Sequence, residues 1–179
     1  LINTIEKHGK SSRNGAAMRT VVLGYYKALW NVCTSAQSHG SVTHDKQGQY
    51  AATMIAHLSH LLRHNSRQRS LELMYKEYKC LHDLAVELPM CPVDGIPTAV
   101  IAIKLFERNN TLKDLIVDAI NTKGDTDSVL AIACGLAAWP NSSYDLSLPR
   151  WCDEELENNK FGRDYINGLD LLLTKAFYK

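Results

Sequence analysis

A chain of 179 residues with a net charge of +1 is one domain's worth of sequence and is long enough to bury a core. Its hydrophobic share of 45% and charged share of 22% are those of an ordinary soluble globular protein, and no apolar run reaches the length of a membrane span. The near-equality of acids and bases argues against a bulk nucleic-acid binder, which carries a basic excess.

Five cysteines, an odd number with no CxxC spacing, do not make a disulfide framework. Cys33 and Cys134 fall in apolar helical patterns and read as small core residues, so a reducing cytoplasm is the expected setting. No signal peptide opens the chain. It begins at Leu1, without a methionine, on the short polar lead-in Leu1 to Lys10, which reads as the interior of a longer protein.

Helical periodicity dominates and nothing alternates long enough for a sheet, so the expected class is all-α. The first helix is predicted after Ser11-Ser12-Arg13-Asn14-Gly15 and runs to about Ser35, with Met18, Val21, Val22, Tyr25, Leu29 and Val32 on one buried face. Gly40 and its polar neighbours break the pattern. The mostly polar turn Ser41 to Asp45 precedes a second helix, roughly Gln47 to His64, striped by Ala51, Met54, Ile55, Leu58, Leu61 and Leu62. A third is predicted from about Ser70 to Leu88, and Pro89, Pro92 and Gly95 mark a loop. Pro97 suits the first position of a fourth helix ending near Glu107, apolar nearly all round and hence central. Thr111, with Asp114 three residues on, caps a fifth helix. The sixth spans Asp127 to about Ala138, where Ala131, Ala133, Gly135 and Ala137 permit close packing and Pro140 stops it. The tail from Trp151 to Phe177 holds one or two more helices.

Two clusters read as surface. His57, His60 and His64 fall with Ser59 and Arg63 away from the second helix's apolar stripe, so a solvated face fits them better than a metal site, for which no further ligand is near. The basic stretch Arg63 to Arg69 reads as a helix junction, lacking interleaved aromatics for nucleic-acid stacking.

The chemistry concentrates in Lys123-Gly124-Asp125-Thr126-Asp127-Ser128. Two carboxylates, each followed by a hydroxyl, sit where a glycine loop enters a helix. Oxygen-only donors crowded in this way suit a hard cation, Mg²⁺ or Mn²⁺, rather than zinc. Asp, Thr and Ser are also the preferred helix caps, which is the competing reading. A second small, polar loop, Ser11 to Gly15, feeds a helix start whose free amides suit a phosphate, although an ordinary Asn-Gly turn would look the same.

Taken in order, Asn14-Gly15-Ala16-Ala17-Met18-Arg19, Thr43-His44, Gly95-Ile96-Pro97-Thr98-Ala99 and Gly124-Asp125-Thr126-Asp127-Ser128 resemble the ADP-ribosylglycohydrolase family, from about Ser11 to Ala138. The resemblance implies an all-helical fold and a hydrolase that uses two metal ions, Mg²⁺ or Mn²⁺, to remove ADP-ribose from modified proteins or related acceptors. It implies Asp125, Asp127 and the Ser128 hydroxyl as metal ligands. Ser11, Ser12, Asn14 and Gly15 would line the ADP-ribose pocket, with His44 near the ligand.

The chain departs from the family's pattern at Arg13 and Lys123, where glycine is common, and at Ser12, where some relatives carry an aromatic residue. The family's N-terminal Thr-Asp-Asp segment, which supplies the remaining metal ligands, is not found in these residues. Residues 1–179 are therefore expected to be the C-terminal portion of a single domain, carrying half of the metal site and not turning over substrate alone. An ADP-ribose-binding or structural, crystallin-like relative on the same scaffold is the alternative.

Overall fold

In a computed structural model of the protein, residues 9–83 and 91–177 are described. They are helical, with isolated backbone bridges and no strand among the described residues. The chain divides after Leu146 into a larger and a smaller unit.

The larger unit begins with a single turn, α1 (Gly15–Met18), and a 3₁₀ turn, Val21–Tyr25, followed by α2 (Leu29–Ser41) and α3 (Lys46–His64). Next come α4 (Arg67–Glu77), the short α5 (Cys80–Asp83), α6 (Gly95–Arg108), α7 (Leu112–Thr122) and α8 (Thr126–Ala137). The long helices α3 and α6 are the hubs. α1, α2, the 3₁₀ turn and α6 all pack on α3, while α6 and α7 pack on α8. Met54, Ile55, Leu58 and Leu62 of α3 meet Ile103 and Phe106 of α6 and Ile132 and Leu136 of α8 in one apolar core. Burying a side chain of this size contributes about 1.5–3 kcal/mol.

Five expectations are revised. The first helix is not continuous. It breaks at Arg19, tightens into the 3₁₀ turn and turns extended at Tyr26 before α2 begins. Val22 and Leu29 are consequently exposed, and of the six residues expected on one buried face only Val32 is fully buried. α2 also runs through Gly40, where the near approach of Gln49 on α3 leaves little room for a side chain.

Nor is the His57 face solvated along its length: of its three histidines only His64, at the end of α3, is exposed. α3 is covered on both sides, so Ser59 and His60 are buried and His57 bonds the Tyr78 hydroxyl through Nδ1 at 3.1 Å. The third helix stops at Glu77 and resumes as α5, and its expected end, residues 84–88, lies outside the described residues. Finally, α6 starts at Gly95, two residues before Pro97, and Asp94 is its N-terminal flank.

Elsewhere the local chemistry behaves as expected. Thr111 Oγ1 accepts from the Asp114 amide at 3.0 Å and donates to Asp114 Oδ2 at 2.8 Å, capping α7. Arg67, placed in a plain basic junction by sequence, gathers the end of α6. It donates to the carbonyls of Phe106, Glu107 and Asn109 and to Asn110 Oδ1. Its guanidinium carbon stands 5.0 Å from the Phe106 ring centre and 4.9 Å from that of Tyr144. All five cysteines are free thiols. No helix among the described residues is long and apolar enough to cross a membrane.

The smaller unit holds α9 (Trp151–Glu154) and α10 (Arg163–Phe177). Asn158 fixes the start of α10 by donating to Asp164 Oδ2 and accepting from the Asp164 amide.

Candidate functional site

Main-chain bonds gather the four sequence motifs at one end of the larger unit. The Ser11 amide donates to Thr43 O at 3.1 Å and the Asp45 amide to Ser11 O at 3.0 Å, tying the first loop to the turn before α3. On its other side, the Asn14 amide donates to Val93 O at 3.1 Å and the Gly95 amide to Ser12 O at 2.9 Å. The acidic loop joins the same group through Cys91, whose amide donates to Lys123 O at 2.8 Å while its carbonyl accepts from Asp125 at 3.0 Å.

One side-chain contact then crosses the site. Asn14 Nδ2 donates to Asp125 Oδ2 at 2.5 Å and lies 3.3 Å from Thr98 Oγ1 on α6. Asn14, expected to line a ligand pocket, is thus buried against a residue expected to hold metal.

The competing view of Asp125 as a helix cap fares poorly. Asp125 occupies the N-terminal flank of α8, yet its side chain makes no capping bond to the helix amides. Asp45, at the same position of α3, does: its Oδ1 accepts from the Gln47 and Gly48 amides at 2.9 and 3.0 Å. Burial pushes the Asp125 carboxyl up, but hydrogen bonding, first of all from the Asn14 amide, outweighs it and holds the group below its ordinary value. A carboxylate kept ionised, beside an exposed Asp127 and a buried Ser128 in the first turn of α8, is an all-oxygen donor set of the kind that fits a hard cation. No cluster of three or more His, Cys, Asp and Glu side chains that could hold a metal occurs among the described residues.

His44 is buried rather than displayed on its turn. Its Nδ1 lies 2.7 Å from Thr43 Oγ1, and its Nε2 lies 3.5 Å from where a Cβ on Gly15 would stand. Burial first, and the Arg19 charge second, lower its pKa and favour the neutral ring. Arg19 donates to Thr43 Oγ1 at 3.2 Å and, with His39, Val42 and Thr43, lines a groove of about 310 Å³. Ser12 Oγ reaches toward Asp94 Oδ1 at 3.5 Å. Asp94 was not anticipated from sequence, and Thr98 was noted only within the motif Gly95 to Ala99, without a role. A lone threonine in the apolar face of α6 was the available signal.

The sequence model of the ADP-ribosylglycohydrolase family matches residues 2–169, nearly the whole chain. The chain belongs to the ADP-ribosylglycohydrolase family. Its all-helical architecture agrees with that membership, and at the level of the family it is a hydrolase of the glycohydrolase type. No curated protein matches the chain. The loop at Asn14 and the acidic loop at Asp125 are brought together by main chain and joined by one buried amide.

Proposed function

We propose that the chain forms part of a metal-dependent hydrolase that removes ADP-ribose from ADP-ribosylated proteins or related acceptors. The observation that carries this reading is the buried Asn14–Asp125 bond, which puts a polar loop suited to a phosphate-bearing ligand beside an oxygen-only donor cluster.

Asp125, Asp127 and Ser128 would hold Mg²⁺ or Mn²⁺, and the bound ions would supply a grip on the ribose hydroxyls and a positioned water for attack at the anomeric carbon. The chain's own residues do the rest. Asn14 keeps Asp125 ionised and oriented. The loop of Ser11, Ser12, Asn14 and Gly15 presents polar and small groups to the ligand, and its Ser12 and Gly15 amides, unlike those of Ser11 and Asn14, are not tied to main-chain carbonyls and face the ligand's phosphates. His44, neutral and buried under Gly15, supports the loop from below. Two ions need more oxygens than two carboxylates and a hydroxyl provide, so the reading places the remaining donors on chain outside these residues, and these residues alone would not turn over substrate.

The test is ADP-ribose release from a modified protein, with and without Mg²⁺ or Mn²⁺, alongside calorimetric cation binding. Asp127→Ala should abolish release and weaken cation binding at least tenfold, in the range expected for loss of a metal-site group, with helicity unchanged. Unchanged affinity would overturn the metal assignment, and ADP-ribose binding without release by the complete protein would favour a non-catalytic relative.

A further inference from the structure

The donors and acceptors around Asn14 assign a role to a residue on a different helix. Thr98 Oγ1 lies 2.7 Å from the Pro92 carbonyl and 3.3 Å from Asn14 Nδ2. A carbonyl cannot donate, so the single hydroxyl proton of Thr98 goes to Pro92. The hydroxyl then meets Asn14 only as an acceptor. Asp125 is likewise an acceptor when ionised, and it lies 2.5 Å from the same nitrogen. Both protons of Asn14 Nδ2 are thereby committed, one to each neighbour, and the amide cannot flip without setting its oxygen against two acceptors. Asn14 Oδ1 makes no hydrogen bond among the described residues and remains an acceptor for a ligand.

We infer that Thr98 is a positioning residue for this site: through a Pro92–Thr98–Asn14 relay it fixes the Asn14 amide, and through that amide the Asp125 carboxylate. The packing supports a specific role. Thr98 is fully buried on a helix whose neighbours Ala99, Val100, Ile101 and Ala102 are buried apolar residues, where a hydroxyl is costly unless both of its partners are present. The inference rests on reading Asp125 as a cation ligand, but its central claim, the locked amide, can be tested without any cation.

The decisive experiment follows the Asn14 side-chain amide by ¹⁵N–¹H NMR in the full-length protein, with calorimetric Mg²⁺ titration in parallel. In the wild type both Nδ2 protons should be shielded from solvent exchange. Thr98→Val, which keeps the shape and removes the hydroxyl, should speed exchange of one proton about tenfold or more, the equivalent of one lost hydrogen bond. It should also weaken Mg²⁺ binding several-fold, while Thr98→Ser should restore both to within about twofold. Wild-type exchange of either proton at the solvent rate would overturn the relay even if the valine variant fails to fold. So would a serine variant as impaired as the valine one, since only the methyl would then matter. A wild type that shields both protons but binds no Mg²⁺ would leave the relay standing and remove the metal reading instead.

Discussion

Asn14 meets Asp125 across 111 residues of sequence, and the 2.5 Å bond between them is the direct side-chain tie between the two halves of the site. Neither residue is held by its own local structure. Asn14 flanks α1 without capping it, and Asp125 flanks α8 without capping it. Each gives up the role its residue type favours at a helix start, and the tie to the other takes its place.

Lys123 should be improvable. Its φ of 63° and ψ of −173° fall in a region that is essentially reserved for glycine, and the family commonly has glycine here. Lys123→Gly should relieve strain of about 1–3 kcal/mol, less about 0.4–1 kcal/mol for the added freedom of the unfolded chain. A melting temperature raised by a few degrees is the expected readout. A fall would show that the lysine side chain contributes more than its backbone costs.

Two glycines near His44 should behave differently. A Cβ on Gly48 would stand 2.8 Å from His44 Cβ and 2.9 Å from Cδ2. Gly48→Ala should therefore destabilise the protein by about 1–3 kcal/mol, as overpacking does. At Gly15 the nearest atom is 3.5 Å away, so alanine should be tolerated. Gly15→Val should leave the fold intact, by circular dichroism, but lower ADP-ribose affinity by blocking close approach to the loop. Equal affinity would mark the loop as a plain turn.

Acid should weaken the fold before the carboxylates titrate. Burial lowers the pKa of His44, His57 and His60 below the ordinary 6.5. Each is neutral in both states at higher pH and costs nothing there. Below 6.5 the unfolded chain takes up protons that the folded protein refuses, so stability falls with pH until the lower folded values are passed. The slope is up to about 1.4 kcal/mol per pH unit for each histidine. Urea unfolding between pH 8 and 5 should show this loss, and His60→Asn should flatten it. Asp118 and Asp125, whose pKa values are also lowered, add their losses only at more acid pH.

Arg67→Lys should be far from conservative. The planar fork serves several carbonyls at the end of α6 while lying over two rings, and an ammonium cannot reproduce that. A loss of about 2–3 kcal/mol in denaturant unfolding is expected, since bonds to a charged donor are worth more than neutral ones. A loss under half a kcal/mol would mean the carbonyls find other partners.

The class of fold was readable because α3, α6, α7 and α8 keep a helical period over three or more turns. Their boundaries fall within two residues of expectation. The break between α1 and α2 was not readable, since apolar spacing continues straight through the 3₁₀ turn. The histidine face of α3 misled for a related reason. Polar residues on one side of a helix signal solvent only when nothing packs there, and α2 and the 3₁₀ turn do. At the site, the acidic motif and the Asn-Gly loop were visible as separate stretches. Their contact was not, because spacing along a chain carries no information about a bond made between residues 14 and 125. Thr98 was visible within the motif Gly95 to Ala99, but its apolar neighbours, whose helical pattern accounted for the whole segment, gave it no role.

The backbone bridges at Ser11, Arg13 and Cys91 gather the site without spending a side chain. Selection can therefore rewrite the rim of the site while the scaffold keeps its hold. Arg13 illustrates this: its backbone is not left-handed and so exacts no strain from a side chain. The constraint falls on Gly95 instead, where any Cβ would come within 3.1 Å of the Ser12 and Arg13 carbonyls. Side-chain divergence should therefore be tolerated at Arg13, and invariance should concentrate at Gly95, whose role is to leave room for the backbone.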